Sequence, residues 1–421
     1  MIEPSKPSGI KFYSWEPGNG YGDAAKAYMM GLVRLGIPVT WTPLVLGIRW
    51  AEKGLGYQPF EGTTYADTEL EPLCNRSIPY DIVIAHISPE YFPAIVENEP
   101  GKRVLGYTVW ETDKVPAHWP PLLNSVQRLL VPCKWNREVF RSCGVHRPID
   151  VVPHILPELP HSLPTTPQLD IPGLEKDDFL FYTIGTWTSR KALWKTVEAF
   201  LQAFSAEDRV TLVIKTTQLD FTHPQKMLEL SRHLIIIALH LIRKKHWVLQ
   251  LNKIFDRFRT KTVDSLAKLI GSRKNGPKIL LCDEEWDREK IEQLHHHGDC
   301  FVSLCHSEGW GLGAFEAAGL GRPVIITGFG GHLDFLPPEL SYLVDYRMAH
   351  INDPTGGKSY TPDQQWADPN VKHAASLLRL VFENREQARD KGEALGHHVR
   401  SNFNETTVIK RLLEALQGGK E

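Results

Sequence analysis

The sequence is short of three things: long apolar runs, paired cysteines and charge of one sign. Nowhere do about 18 apolar residues follow one another, so no membrane-spanning helix is expected. The six cysteines (Cys74, Cys133, Cys143, Cys282, Cys300 and Cys305) are scattered, with no C-x-x-C pair. That pattern suggests reduced thiols and a cytoplasmic compartment. Forty-eight basic against 50 acidic residues give a formal net charge of −2, so no overall bias points to nucleic acid as a partner. The opening residues MIEPSKPSGI lack a charged segment followed by an apolar one, and no secretory leader is expected. No short repeat and no long low-complexity tract occurs.

What is present is length and alternation. A chain of 421 residues exceeds one ordinary core, and two domains of roughly 200 residues are the natural division. Short apolar stretches (GIKFYSW, IPVTW, YDIVIAHI, KRVLGYTVW, RLLVPCKW) alternate with helical or polar sequence, which predicts parallel βαβ units. The runs are continuously apolar rather than alternating, as suits strands buried on both faces. Residues 153–178 are rich in proline and polar residues and predict a linker. After it the pattern restarts with FLFYTIGTW, VTLVIKTT, KILLCD, DCFVSLCH and RPVIITG as strands. The expected organisation is an N-terminal Rossmann-like domain over 1–165, a second over 175–402, and a C-terminal helix in 403–421. Two such halves enclose a cleft, and ligands of such sheets sit outside the carboxyl ends of the strands.

The segment CHSEGWGLGAFEAAGLGRPVIITGFGGH, residues 305–332, is the densest in chemistry. Glu308 follows a buried strand, and Gly309, Gly311 and Gly313 permit tight turns and a close backbone approach to a ligand. A helix starting near Gly313 carries Glu316 in its first turns, and its free N–H groups favour an anion such as a phosphate. Carboxylates do not hold phosphate but accept hydrogen bonds from sugar hydroxyls. The unit therefore suits a ligand with phosphates in the middle and polyols at both ends, the form of a nucleotide sugar. On spacing alone, a glycine-rich βα turn with one exposed and one capping glutamate accounts for it equally well.

The stretch SEGWGLGAFEAAGLGRPVIITGFGGHLDFL resembles the E-x7-E region of family-4 glycosyltransferases, retaining enzymes of the GT-B fold. GYTVWETDKVPAHW, VPCKWNREVFRSCGV with VVPHI, IGTWTSRKALWKTVEAF and WADPNVKHAASLLRLVFENREQARDKG fall at matching places, so the resemblance covers most of residues 10–410. It implies that Glu316 binds the donor ribose, that Glu308 lies by the donor sugar, and that the amides around Gly309, Gly311, Leu312 and Gly313 face the diphosphate or sugar. Lys191 matches the family's lysine. Thr186 stands where the family usually has arginine, and Arg190 is the substitute. Positive charge there stabilises a leaving nucleoside diphosphate more than its ground state.

SWEPGNGYGDAAKAY reads as strand, glycine loop and helix start. By resemblance Gly20 and Gly22 approach the donor phosphates from the opposite domain, and the plain alternative is a βα turn capped by Asp23. Trp110 occupies a position where many family members carry histidine, and with Glu111, Asp113 and the strand-end His86 it is assigned to the acceptor side, although a lone strand-end histidine is more often a satisfied structural residue. The E-T-D tripeptide at 111–113 imitates a metal motif of the other main glycosyltransferase fold, but no metal or cofactor is expected. The loop Gly328–His332 is expected to close over the nucleotide or sugar. The run His295–His297 is expected to be a solvated helix end, since three consecutive residues on a helix point in different directions.

Between Lys226 and Lys278 thirteen Lys/Arg face three Asp/Glu. Two readings stand: an exposed helical insertion with its cations in water, or a basic amphipathic surface on anionic lipid at the inner face of the membrane. Together these features lead to a GT-B α/β protein with two Rossmann-like domains, transferring a sugar from a nucleoside diphosphate to a hydroxyl of a glycan or lipid-linked glycan, with retention. A competing reading is a non-catalytic GT-B subunit that binds nucleotide sugar or scaffolds a partner. A GT-B epimerase or phosphorylase is a further rival.

Overall fold

The computed structural model describes residues 7–65, 69–158, 169–223, 260–271 and 275–418. Two parallel sheets dominate it. The first has seven strands: β1 (Ile10–Ser14), β2 (Val39–Leu46), β3 (Tyr57–Pro59), β4 (Ile82–His86), β5 (Arg103–Tyr107), β6 (Arg128–Val131) and β7 (Ile149–Val151). Their order is β3-β2-β1-β4-β5-β6-β7, all parallel except β3, which runs antiparallel on β2. The second has six: β8 (Phe179–Ile184), β9 (Val210–Lys215), β10 (Lys278–Cys282), β11 (Cys300–Ser303), β12 (Val324–Thr327) and β13 (Tyr342–Val344), ordered β10-β9-β8-β11-β12-β13. A third, two-stranded sheet pairs β14 (Tyr346–His350) with β15 (Gln365–Pro369) antiparallel.

Both large sheets reverse direction of strand addition at one place, between β1 and β4 in the first and between β8 and β11 in the second. Doubly wound sheets open a crevice there, because the helices leaving the two strands go to opposite faces. The loops after β1 and β8 and the ends of β4 and β11 therefore define where a ligand fits.

The helices that frame the crevice follow from local sequence. Helix α1 (Gly20–Arg34) starts on Asn19, whose side chain accepts from the N–H groups of Tyr21 and Gly22. Asp23, the cap in the plain alternative reading, instead accepts from Gly18 N at 2.8 Å and closes the loop ahead of the helix. Helices α2 (Phe92–Asn98), α3 (Trp119–Leu123) and α4 (Lys134–Ser142) complete the first layer, and α5 (Leu193–Ala203), α6 (Thr262–Ile270), α7 (Arg288–His297) and α8 (Leu312–Gly319) belong to the second. Helices α9 (Val371–Glu383) and α10 (Arg385–Asn402) pack on the second sheet.

The last described helix, α11 (Glu405–Leu416), returns to the first sheet. Its Val408, Ile409, Leu412, Ala415 and Leu416 are buried in one cluster with Ile10, Phe12 and Trp41. Gly31 of α1 makes the approach possible, for a Cβ there would stand 2.8 Å from the Ile409 side chain. Arg34 and Glu405 pair beside it. Among the described residues no helix is long and apolar enough to cross a membrane. The basic segment Lys226–Lys278 lies mostly outside the described residues. None of the six cysteines is in a disulfide.

Candidate active site

The crevice of the second sheet is lined by two loops. After β8 the chain runs Gly185 to Ala192 and turns into α5; Ala192 takes a left-handed backbone (φ 45°, ψ 43°) that costs a non-glycine residue about 1 kcal/mol or more. That turn places Arg190 and Lys191 against the loop that follows β11. There Arg190 donates from Nη1 to Ser307 O at 2.8 Å and to Glu308 Oε2 at 2.9 Å, while its own carbonyl accepts from His306 N at 2.8 Å. Lys191 Nζ donates to Glu308 Oε1. One carboxylate thus holds both cations, and all three side chains are at least three-quarters buried.

Burial alone would raise the Glu308 pKa. The charges of Lys191 and Arg190 outweigh it and hold the group at about 2. Arg190 is driven the other way: burial disfavours its charge, but Glu111 and Glu308 keep it firmly protonated. Glu308 is consequently a weak base and a weak nucleophile, and its chemistry is to accept hydrogen bonds.

Helix α8 opens on Gly311, left-handed at φ 88°, a conformation that favours glycine. Its first N–H groups, from Leu312 and Gly313, carry the positive end of the helix dipole at the mouth of the crevice. Across the cleft, Gly20 at the start of α1 lies opposite Leu312, and a Cβ on Gly20 would be 3.4 Å from Leu312 Cδ1. Gly22 lies in the first turn, and a Cβ there would collide with the Glu16 carbonyl. Its glycine requirement comes from the tight loop. Gly309 is packed against Val109 and Trp110 of the first domain, and Gly331 against Gly309 O and Cys133. These two glycines let the domains touch. Cys133 Sγ donates to Gly309 O at 3.4 Å and Lys134 N to Asp334 Oδ2 at 2.9 Å in the same contact.

Glu316 faces α7. Its two oxygens accept from Arg288 Nη1 at 2.8 and 2.9 Å, and His295 Nε2 stands 3.4 Å from Oε2. Burial pushes its pKa up, but His295 and Arg288 together carry it below the ordinary carboxylate value. The expectation of a solvated His295–His297 end is corrected here. His295 is fully buried, its Nδ1 3.0 Å from the Tyr182 hydroxyl; only His297 is exposed. Sequence reasoning missed Arg288 and His295 as partners of Glu316. The signal was present: seven residues apart, they complete two helical turns and share a face. Beside α7, at the carboxyl ends of β9 and β10, lies a cavity of about 740 Å³ lined by Lys215, Thr216, Gln218, Asp283 and Glu284 among others.

The residues assigned to the acceptor side are all engaged. His86 stands at the end of β4 but is enclosed, 1% exposed, with its ring 4.0 Å from that of Tyr107; burial keeps it neutral. Its expected place facing the cleft is corrected to the aromatic interior behind it. Trp110 is buried against Trp119 and stacks on Tyr360 at 5.1 Å. Glu111 Oε1 lies 3.7 Å from Arg190 Nη2, and its Oε2 accepts from the Tyr360 hydroxyl at 3.0 Å. Asp113 Oδ1 accepts from Gln365 N at 2.6 Å. His332 in the glycine loop is buried and bonded to Thr327 O at 2.7 Å, and Gly330 lies over the Glu308 backbone.

Comparison with solved structures matches this two-sheet arrangement end to end. A glycosyltransferase from Rickettsia africae ESF-5 superposes with a TM-score of 0.62, covering 99% of this chain and 100% of its own, at 13% identity. Sucrose-phosphate synthase from Thermosynechococcus elongatus gives 0.61, with 98% of each chain covered at 12% identity. The fold is GT-B. A third GT-B structure, Anabaena Alr3699/HepE in complex with UDP-glucose, gives 0.60, covering 97% of this chain and 98% of its own at 13% identity. The model of the family described as glycosyl transferases group 1 matches residues 231–345, which include Glu308, Glu316 and the start of α8. No curated protein sequence matches the chain.

Proposed function

We propose that the chain is a glycosyltransferase that moves a sugar from a nucleoside diphosphate sugar to a hydroxyl of a glycan or lipid-linked glycan, with retention at the anomeric carbon. The observation that carries this reading is the Arg190–Lys191 pair, two cations held by one buried carboxylate at the switch point of the second sheet. A diphosphate at the mouth of α8 offers those cations a second anionic partner. As the glycosidic bond breaks, charge accumulates on the leaving phosphate, and fixed cations stabilise that state more than the ground state. Glu316, poised with Arg288, accepts from the ribose hydroxyls, and the cavity beside α7 takes the base. Glu308, relieved of part of its cation load by the diphosphate, accepts from donor-sugar hydroxyls.

Retention without a protein nucleophile fits attack on the same face that the diphosphate leaves, the leaving oxygen taking the acceptor proton. The low basicity of Glu308 supports that route over one in which Glu308 activates the acceptor. The group 1 family match and the GT-B fold support transfer from a nucleotide sugar in general.

The test is a donor panel. Wild type and Glu316→Ala are incubated with UDP-, GDP-, dTDP- and ADP-sugars, and both binding and slow release of free nucleoside diphosphate are recorded. Release from one donor, lost in the variant, supports a transferase and names the donor. Binding without release, with candidate acceptors added, turns the reading toward a non-catalytic subunit; no binding to any donor refutes it.

A further inference from the structure

The loop joining β14 to β15, residues 351–364, is long for a hairpin connection, and long loops inside compact domains tend to be functional. It belongs to the second half of the chain, yet its far end grips residues 110–114 of the first. Gln365 N donates to Asp113 Oδ1 at 2.6 Å, and Asp113 N returns a bond to Gln365 O at 3.1 Å. Lys114 Nζ donates to Asp363 O at 3.1 Å, and the Tyr360 ring stacks on Trp110. The near end is tied to the cation loop: Ser189 Oγ donates to Asp353 Oδ1 at 2.9 Å, one residue before Arg190. Beneath the hairpin, the His306 ring stacks on Trp366 at 4.5 Å, two residues before Glu308.

Arg190 sits where these ties converge. One edge of its guanidinium meets Glu308 of its own domain and the other faces Glu111 of the opposite domain. Glu111 is in turn held by the Tyr360 hydroxyl. Hydrogen bonds to Ser307 O and Glu308 hold Nη1, and the charge of Glu111, 3.7 Å from Nη2, draws the opposite side of the rigid plane toward the first domain. Separation of the domains removes Glu111 and leaves that plane set by Glu308 and Ser307 alone.

Resting on the reading of Arg190 as a diphosphate cation, we infer that Glu111 is a positioning residue, clasped by Tyr360, that makes the orientation of Arg190 depend on cleft closure. Turnover then belongs to the closed form. The loop after β14 is the part that couples closure to the charge at the reacting phosphate.

The experiment uses the full chain as wild type, Glu111→Gln, Tyr360→Phe and the double variant. Rates of UDP release from UDP-glucose, or from whichever sugar nucleotide the panel selects, are resolved into kcat and KM. Loss of the ion pair with Arg190 lowers kcat about fivefold in Glu111→Gln, with less change in KM. Tyr360→Phe keeps the stacking on Trp110 and lowers kcat in the same sense, and the double variant loses no more than Glu111→Gln alone. A structural role predicts multiplying losses and no such split; that result, or unchanged kcat in the single variants, overturns the inference. Amide exchange without ligand supplies an arm independent of turnover. Tyr360→Phe speeds exchange in both 351–365 and the 185–192 loop; unchanged protection at 185–192 also overturns it. Absence of binding to every donor in wild type, or of release with candidate acceptors added, tells against the transferase reading instead, and the exchange arm then decides the clasp by itself.

Discussion

Replacing Lys191 by methionine isolates what the cation pair does for the folded protein. The side chain keeps its length and loses its charge, so Glu308 is left buried with Arg190 as its remaining cation. The displacement of Glu308 from 4.5 to about 2 is worth roughly 3 kcal/mol between charged and neutral forms, at about 1.36 kcal/mol for each pH unit. Lys191 and Arg190 share that effect, so losing one of them costs about 1–2 kcal/mol at neutral pH. For domains of this size the melting transition falls by roughly 3–6 °C. The pH dependence has a fixed sign. A carboxylate with a depressed folded pKa stabilises above its unfolded value and loses that contribution as pH falls through the folded one. The gap between wild type and Lys191→Met is therefore full above about pH 5 and closes between 4.5 and about 2. Differential scanning fluorimetry at pH 7.5 reads the full gap, and a series carried down toward pH 2.5 follows its closure. Adding Glu308→Gln to Lys191→Met restores part of the loss, because the stranded carboxylate is gone. A single variant as stable as wild type, or a double variant less stable than the single, refutes the reasoning.

Three further outcomes are expected. Glu316→Gln weakens binding of the nucleoside diphosphate that the donor panel selects about tenfold by calorimetry while changing the melting temperature little, since Arg288 is half-exposed and rehydrates. Gly331→Ala drives a Cβ into the Gly309 carbonyl and lowers stability by about 3 kcal/mol or more, whereas Gly56→Ala, with nothing near its Cβ, is close to neutral; parallel urea melts separate them. Leu412→Ala, in α11 but buried in the first domain's core, costs about 2–5 kcal/mol and unfolds that domain at lower denaturant.

Much of the fold was legible because buried parallel strands leave continuous apolar runs. FLFYTIGTW, VTLVIKTT and DCFVSLCH each became a central strand of the second sheet. The glycine-rich loop at 309–313 was readable for the same reason: it follows such a strand directly. The clasp was not. Residues 346–369 have neither helical nor strand periodicity over a useful length, and their partners, Trp110 to Lys114, lie some 250 residues earlier. Trp110 and Asp113 looked ligand-facing because they end a strand beside a cleft; sequence spacing does not reveal a loop from the other domain occupying that space. Gly309 has a packing role that spacing did not reveal either. A glycine at a strand end permits close approach, and on the side where a Cβ would stand that approach is made by Val109 of the first domain.

The return of α11 has a consequence for biogenesis. The first sheet is complete by residue 151, yet its core stays open until Val408 to Leu416 arrive. On the ribosome the first domain to emerge is thus the last to be sealed, and it waits through synthesis of the entire second domain with the apolar face of α1 uncovered. Closure of this core therefore depends on residues made more than 250 positions after its last strand, and the α1 face is the apolar surface left to be shielded in the interval.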